Sequence, residues 1–315
     1  MHSRFRLRLK PPLQVFGLLL LGLFQALWVD AAPLQFVVSL PSLAALVVEV
    51  GGPAVQVRAM ASPRQDPHFV DARPDLILHL ARADLLVLNG LGLESGWLPA
   101  LLAQSRNARI QQGSRGHFDA SRHVTLLQVH KGPVDRTHGD IHKGGNPHFL
   151  VDPRAGARVA RALGETIAAL DPQHAASVRA RAQALAGRLE TFATQEAARF
   201  ARLPAERRAA VVYHDSLPYL LAWLGIRQVA TLEPRPGIAP HPQHVAAVLQ
   251  AMRQTGTRVL VQEAYYPRNA SDTVARLAGG VVVVLPGGAQ FEEGQGYEAW
   301  LRSIATSVYG ALAAP

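Results

Sequence analysis

Short apolar runs alternate with helix-length amphipathic stretches along the first half of the chain. The apolar runs are rich in Val and Leu and show little polar alternation, which is typical of parallel strands that are buried on both faces. The pattern therefore predicts strands separated by helices. The predicted strands cover residues 35–40, 54–60, 84–89 and 123–129, and the predicted helices cover 41–50, 73–82 and 95–104.

The second half of the chain repeats this alternation without repeating the sequence itself. The predicted strands are 209–213, 228–232, 258–262 and 281–285, and the predicted helices are 242–253, 270–277 and 297–311. Two such halves predict an α/β fold class with two lobes, each having a mainly parallel sheet flanked by helices.

The segment between the halves, residues 154–203, is rich in Ala, Arg, Leu and Glu and poor in Gly. Its main interruption is Asp171-Pro172, where Asp171 can cap a helix that Pro172 begins. This composition predicts a long linking helix and not a flexible linker. The expected domains are a signal peptide (1–31), an N-terminal metal-binding lobe (32–153), a linking helical segment (154–203) and a C-terminal metal-binding lobe (204–315).

The first residues have the pattern of a secretory signal peptide. Four basic residues precede an apolar stretch, 13–29, that leads into Val29-Asp30-Ala31-Ala32. The alternative is a transmembrane anchor, but Gln14 and Gln25 leave the stretch shorter than the ~20 apolar residues that a span needs. We expect cleavage near Ala31.

The absence of cysteine limits both the compartment and the chemistry. With Cys 0, the chain has no disulfide, no thiolate ligand and no lipobox cysteine for acylation. We therefore expect a soluble, monomeric periplasmic protein. Removal of the signal peptide lowers the net charge from +9 to +6, because four basic residues and Asp30 leave with it. The Arg residues form no lysine-rich or aromatic-interleaved stripe, so nucleic acid is a poor hypothesis.

Three of the 13 histidines lie in turns beside predicted strand ends. His68 and His148 each follow a proline, which restricts the backbone and helps to hold an imidazole in one direction. His214 follows the strand 209–213 directly, and ligand sites in open α/β sheets lie beyond the carboxyl ends of strands. Any one of the three could be an ordinary surface or capping histidine. Together they predict a metal site, for which Asp215 could accept the second ring N–H of a neighbouring histidine.

From about Val37 to the C-terminus the sequence resembles the bacterial solute-binding proteins that supply zinc or manganese to ABC transporters, the ZnuA/TroA-like group. Each matching motif is weak alone, but six in the same order are highly specific. The motifs are Asp66-Pro67-His68; 83–94 followed by Trp97-Leu98; His138-Gly139-Asp140-Ile141-His142; 145–148 with Asp152-Pro153; Tyr213-His214-Asp215-Ser216 with Tyr219; and 233–238.

The resemblance implies two α/β lobes bridged by a long helix, with the metal between them. It assigns His68 and His148 as ligands from the first lobe and His214 from the second, and an ABC transporter permease as the partner. Three imidazoles suit Zn2+, whereas Mn2+ prefers carboxylate oxygen, so zinc is favoured over manganese.

The resemblance leaves the fourth ligand open. Family members often have an aspartate on the last strand, where this sequence has Leu285 before Pro286. Water, Glu263 or Asp215 could take that position, and Glu263 could equally support a ligand without binding the metal. His138 and His142 match a histidine-containing loop near the site entrance, which could collect metal ions or could be a solvated loop without function.

Two other classes of protein compete with this hypothesis. Three histidines and one open position also describe a catalytic zinc, but a zinc hydrolase needs a general base and the sequence has no HExxH motif. An adhesin would expose an aromatic or apolar patch, which an aromatic content of 6% does not suggest. We therefore expect a binding protein and not an enzyme.

Overall fold

The four strands of the N-terminal half form a parallel sheet. The computed structural model describes residues 32–129, 142, 144–235 and 237–314. In the sheet the strands follow the order β2-β1-β3-β4 and every pairing is parallel. The strands are β1 (Leu34–Val38), β2 (Val55–Ala59), β3 (Leu85–Leu88) and β4 (His117–Asp119).

Helices cover both faces of this first sheet. Along β1, Phe36 and Val38 point into one hydrophobic core, whereas Val37 points into another, as the twofold periodicity of a strand requires. Helix α1 packs on the first face, and α2 and α3 pack on the second. Each has a proline in its first turn, where the missing N–H costs nothing. Their bounds are α1 (Pro41–Gly51), α2 (Pro74–Arg82) and α3 (Leu98–Ser105).

The C-terminal half repeats the arrangement. Its sheet has the order β6-β5-β7-β8, again with only parallel pairings. The strands are β5 (Ala209–Val212), β6 (Arg227–Thr231), β7 (Val259–Glu263) and β8 (Val281–Leu285). The helices are α6 (Pro218–Leu224), α7 (Pro242–Thr255), α8 (Asn269–Ala278) and α9 (Tyr297–Ala313).

The segment between the two sheets contains α4 (Pro153–Leu170) and the 27-residue α5 (Ala175–Ala201). The two helices pack against each other in antiparallel fashion, and Arg161 forms two hydrogen bonds to the Glu190 carboxylate across them. Helix α5 is the long linking helix that the composition predicts. The helix begins at Ala175 and not at Pro172 as predicted. The Asp171 carboxylate accepts from the backbone N–H of His174, the residue before the helix, and also contacts the His174 ring.

One hydrophobic core runs through both lobes. It combines inward residues of β1 and β5 with the buried faces of α1, α4, α5 and α9, whereas each sheet has its own smaller core on the outer face. The described residues from Pro33 onward accordingly belong to one compact unit. The predicted domain boundaries at 31, 153 and 203 stay predictions.

The strand prediction for 123–129 is wrong. The fourth strand is His117–Asp119, and Ala120–His123 forms a single 3-10 turn after it. A strand of three residues with two polar side chains has too little hydrophobic pattern to be recognised. None of the predicted helices covers α6, although Pro218 at its start and Gly225 just after its end are standard helix signals.

The carboxyl ends of both sheets face a common cleft. The loop that carries His68 follows β2, His214 follows β5, and Glu263 and Leu285 end β7 and β8. This is the edge at which open parallel sheets bind ligands. Within the part of the chain that the structure describes, no helix is long and apolar enough to cross a membrane.

Candidate metal centre

His68 is oriented by the aspartate two residues before it. The Asp66 Oδ1 atom accepts from the His68 backbone N–H at 2.9 Å and lies 2.8 Å from the ring Nδ1. The Trp97 indole N–H donates to the Pro67 carbonyl at 3.0 Å and ties the loop to the lobe. With Nδ1 donating to the carboxylate, Nε2 keeps its lone pair for a metal ion. The His68 side chain is only 8% exposed.

His148 is held by the asparagine two residues before it. The Asn146 side chain accepts from the His148 backbone N–H at 3.0 Å, and its amide donates to the Asp215 carbonyl at 2.7 Å. The Tyr219 hydroxyl donates to the Asn146 carbonyl at 3.0 Å. Gly145, Asn146 and Pro147 are buried, and Asn146 contacts Asp215 and Tyr219 of the C-terminal half.

His214 projects from the end of β5 and is oriented by a glutamate from the neighbouring strand's end. Its Nδ1 lies 2.7 Å from Glu233 Oε2, and the Glu233 carboxylate also accepts from the Gly237 backbone N–H at 3.2 Å. The Tyr266 ring packs beside the imidazole with 5.6 Å between the ring centroids. Both partners of the His214–Glu233 pair are buried, with side chains 5% and 7% exposed.

The three imidazoles meet in the cleft. The nitrogen atoms that His68, His148 and His214 can each offer lie within 4.8 Å of one another. Their ring centroids are separated by 5.2, 5.7 and 5.8 Å. Two ligand nitrogens of a tetrahedral zinc ion, with bonds of about 2.0–2.1 Å, lie roughly 3.3–3.4 Å apart. Small side-chain movements therefore suffice to place all three nitrogens on one ion.

The electrostatics of the cluster differ from one histidine to the next. Burial lowers the pKa of His148 well below the usual histidine value, and the neighbouring imidazoles lower it further. Burial also opposes the charging of His214, but the hydrogen bond and charge of Glu233 outweigh it and raise the pKa. Burial would raise the pKa of Asp66, yet the hydrogen bond and charge of His68 keep it low. The environment thus favours the neutral form of His148, the protonated form of His214 and the ionised form of Asp66.

The supporting carboxylates differ from the one that the sequence suggested. Asp66 and Glu233, and not Asp215, bond to histidine ring nitrogens. The sequence contains a signal for each of these carboxylates. Asp66 lies two residues before His68, and Glu233 lies in one of the motifs shared with the ZnuA/TroA-like group. Their pairing with particular rings depends on loop geometry that the sequence pattern does not show.

Glu263 and Asp215 are the two carboxylates predicted as possible fourth ligands. Within the described residues, Glu263 and Asp215 fall outside the cluster of ligand atoms that the three histidines form. The Glu263 carboxylate accepts from the Ser216 hydroxyl, and burial raises its pKa. Leu285 is buried at the end of β8, directly paired with Glu263, so no carboxylate enters the cleft from that position.

His142 approaches the cluster from the other side. Its Nε2 is 3.3 Å from the Nε2 of His68, and the two rings are stacked with centroids 5.5 Å apart. That separation of nitrogens matches the edge of a tetrahedral zinc site. His138, the other histidine of the predicted loop, lies outside the described residues.

Two parallel α/β lobes that enclose a cluster of imidazoles in their shared cleft define a class of proteins, the two-lobed metal-binding proteins. Comparison with known proteins identifies the family within this class. The chain belongs to the family described as ZnuA, the periplasmic component A of the zinc-uptake complex, whose model matches residues 36–311.

Relatives with described functions agree with this membership. The chain is 21% identical to the manganese ABC transporter substrate-binding lipoprotein PsaA of Streptococcus pneumoniae, over 83% of this chain and 82% of that protein. It is 25% identical to the high-affinity zinc uptake system protein ZnuA of Brucella abortus, over 52% of this chain and 49% of that protein. A crystal structure of ZnuA has the same fold, with a TM-score of 0.74, 22% identity, and coverage of 89% of this chain and 100% of that chain.

Family membership fixes the general function. The protein is a metal-binding substrate-binding protein of an ABC transporter, which binds a divalent metal ion and works with a permease. Members of the family bind solutes and are not enzymes, so the zinc hydrolase alternative is excluded.

Proposed function

We propose that the protein binds zinc in the periplasm, through His68, His148 and His214, and delivers it to the permease of an ABC transporter. The observation that carries this proposal is the convergence of three imidazoles, from both lobes, with ligand atoms within 4.8 Å of one another. A signal peptide ending near Ala31 would export the chain, and the mature protein would act as a monomer.

The donor set supports zinc over other divalent ions. Imidazole nitrogen suits zinc, whereas manganese prefers carboxylate and carbonyl oxygen. Here the Asp66 and Glu233 carboxylates each hydrogen bond to a histidine ring of the cluster. Manganese is the second candidate, because the pneumococcal relative is described as a manganese-binding protein. Iron is a third ion that imidazole can bind.

His142 is the strongest candidate for a fourth ligand. The 3.3 Å between its Nε2 and that of His68 allows one ion to contact both nitrogens. Glu263 and Asp215 remain alternatives that would have to turn toward the cluster. In this proposal His138 belongs to the same auxiliary loop and assists in collecting the ion.

Binding in this site exchanges the water shell of zinc for imidazoles. Each ring must be neutral to donate its lone pair, so any proton on it is released when the metal binds. Asp66 and Glu233 hold their rings with Nε2 toward the ion, which reduces the rearrangement that binding requires.

Metal analysis of the purified mature protein tests the three ligands. We expect one equivalent of zinc in the wild type and none in the triple variant His68→Ala, His148→Ala, His214→Ala. The matched control changes three histidines outside the cluster, His79→Ala, His123→Ala and His241→Ala, and should keep its zinc. The assignment is wrong if the first triple variant still binds one equivalent. Loading with manganese in competition with zinc tests the choice of ion.

Single variants test the fourth position. We expect His142→Ala to weaken zinc binding, measured by competition with a chromogenic chelator, more than Glu263→Gln or Asp215→Asn does. A larger loss for Glu263→Gln would assign that carboxylate as the fourth ligand instead.

Export can be tested separately from metal binding. Expression of the full chain in a Gram-negative host should give a periplasmic protein whose N-terminal residue, determined by sequencing, lies close to Ala32. A cytoplasmic product that retains Met1 would contradict the signal peptide and leave the metal site unaffected.

A further inference from the structure

The Asn146 side chain contacts both halves of the molecule beside the metal cluster. Its Oδ1 atom accepts from the backbone N–H of His148 at 3.0 Å, and its Nδ2 atom donates to the backbone carbonyl of Asp215 at 2.7 Å. His148 is a proposed ligand from the N-terminal half, and Asp215 directly follows His214, the proposed ligand from the C-terminal half. One side chain therefore spans from one ligand residue to the neighbour of another.

The two hydrogen-bond partners explain why this residue is an asparagine. A backbone N–H only donates and a carbonyl only accepts, so the amide oxygen must face His148 and the amide nitrogen must face Asp215. Aspartate or serine could also accept from the N–H two residues later. An ionised aspartate has no proton for the carbonyl, however, and serine has a single polar atom that cannot lie in both places.

Further hydrogen bonds hold this segment from both sides. From the C-terminal half, the Tyr219 hydroxyl donates to the Asn146 carbonyl at 3.0 Å. From the N-terminal half, the Asn89 amide donates to the Pro147 carbonyl at 2.8 Å, and the Asn146 backbone N–H donates to the Leu127 carbonyl at 2.9 Å. Asn146 is only 8% exposed, so a lost partner would leave a buried polar group unpaired.

The separation that Asn146 spans is the one on which a shared ion depends. The His148 and His214 rings come from different halves and have centroids 5.7 Å apart. Ligand nitrogens must lie about 2.0–2.1 Å from a zinc ion, and such a site works only when its ligands are held within about 0.5 Å of the required geometry. A bond that fixes one half against the other at this point therefore acts on metal affinity.

We propose that Asn146 is a positioning residue that holds His148 and His214 at the separation that one metal ion requires. It does not touch the ion. The inference rests on the proposed zinc site and adds a residue that couples the ligands of the two halves.

A double-mutant cycle separates this role from a purely structural one. The mature wild type is compared with Asn146→Ser, with His214→Ala and with the variant that carries both changes. Serine keeps an acceptor for the His148 N–H and adds no charge, but it loses the bond to Asp215. Competition with a chromogenic chelator measures the zinc dissociation constant of each protein, and circular dichroism checks that each is folded.

We expect Asn146→Ser to weaken zinc binding by roughly tenfold when His214 is present, the lower end of the effect of residues that orient metal ligands. In the His214→Ala background the same change should alter the dissociation constant by less than about twofold, because no ligand of the C-terminal half remains to be positioned. The matched control is Asn269→Ser at the exposed start of α8, which should bind zinc as the wild type does.

An unchanged dissociation constant for Asn146→Ser, or an equal loss in both backgrounds, would overturn the inference. If Asn146→Ser does not fold, the same comparison with Asn146→Asp decides, because aspartate keeps the size and the acceptor and its charge acts in both backgrounds. Failure of the proposed zinc site would look different, since His214→Ala alone would then bind zinc as tightly as the wild type.

Discussion

Two of the three clustered imidazoles have a carboxylate on the ring nitrogen that points away from the cluster. Asp66 performs this role for His68 and Glu233 for His214, at 2.8 and 2.7 Å. The carboxylates fix the tautomer and the ring direction, and their negative charge makes the imidazoles better donors. Among the described residues, His148 is restrained through its backbone N–H, which donates to the Asn146 side chain.

Replacing Glu233 by Gln should weaken zinc binding by roughly 10- to 100-fold, because the amide can keep a hydrogen bond but has no charge. Isothermal titration with Zn2+ measures the effect. The matched control is Glu206→Gln, the same change at an exposed glutamate just before β5, which should bind zinc as the wild type does. Equal affinities for Glu233→Gln and the wild type would show that the carboxylate charge does not support the ligand.

Zinc affinity should fall as pH decreases, and His214 should dominate the fall. The pKa of His214 is raised, so in the metal-free protein its ring takes up a proton at a higher pH than an ordinary histidine and zinc must displace that proton. The pKa of His148 is lowered, so this ring stays neutral over the same range. Titrations at about pH 7.5 and about pH 5.5 bracket the ordinary histidine pKa of ~6.5.

The Glu233→Gln variant provides the internal check on this pH dependence. Without the carboxylate the pKa of His214 should drop, and the loss of affinity should begin at a lower pH than in the wild type. An affinity that does not change with pH in the wild type would contradict ligation by histidine.

At the scale of elements, the helix pair α4 and α5 depends on close approach at one glycine. A Cβ added to Gly164 would lie 2.6 Å from the Ala182 Cβ, which belongs to a rigid side chain on the facing helix. Gly187 on α5 has nothing within 4 Å of an added Cβ. The same substitution should therefore have opposite effects at the two positions.

We expect Gly164→Ala to lower the free energy of unfolding by about 1–3 kcal/mol, because the helices must separate to admit the methyl group. Gly187→Ala should raise it by about 0.5–1 kcal/mol, because alanine loses less conformational freedom in a helix. Urea denaturation of both variants measures the difference. Destabilisation by Gly187→Ala of the same size would mean that helix contact is not the cause.

The elements also show where a sequence pattern succeeds. The Val-rich strand Val281–Leu285 has the bounds that its apolar run predicts, although Val281 itself is 50% exposed. Residues 123–129, which were predicted to form a strand, have a similar composition. The chain leaves the sheet after β4, however, and the Leu127 backbone N–H donates to the Tyr219 hydroxyl instead of to a neighbouring strand. Local composition cannot distinguish the two, because strand pairing depends on distant residues.

At the scale of the whole molecule, the two lobes are joined by buried contacts as well as by α5. The Tyr297 hydroxyl, at the start of α9, donates to the Leu150 carbonyl at 2.6 Å, two residues after His148. The Ala289 backbone N–H donates to the Ser42 hydroxyl at 3.1 Å. These bonds connect the C-terminal lobe to residues that position the metal cluster.

Tyr297→Phe should lower the free energy of unfolding by about 1–3 kcal/mol, since it leaves the buried Leu150 carbonyl without its donor. Chemical denaturation of the metal-free protein measures the change. The control is Tyr309→Phe in the same helix, whose ring packs on Phe200 and beneath Arg199, and which should unfold like the wild type. Equal stability of Tyr297→Phe would mean that this bond does not contribute to joining the lobes.

The α/β class, seven of the eight strands in the described residues, the long linking helix and the three histidines of the cluster follow from the amino-acid sequence alone. These features are local in the sequence. Strands buried on both faces give continuous apolar runs, and helices give a periodic apolar pattern with characteristic residues at their ends. Each of the three histidines lies in a recognisable turn motif.

Which groups surround those histidines depends on the tertiary structure. Four separate loops bring side chains to the cluster, namely Asp66, Glu233, His142 and Tyr266. The distances between these loops are set by the packing of both sheets around one shared core. Leu285 lies where a carboxylate was expected, and the fold encloses it next to Glu263. Ligand geometry arises from contacts between residues far apart in the chain, which a single sequence does not record.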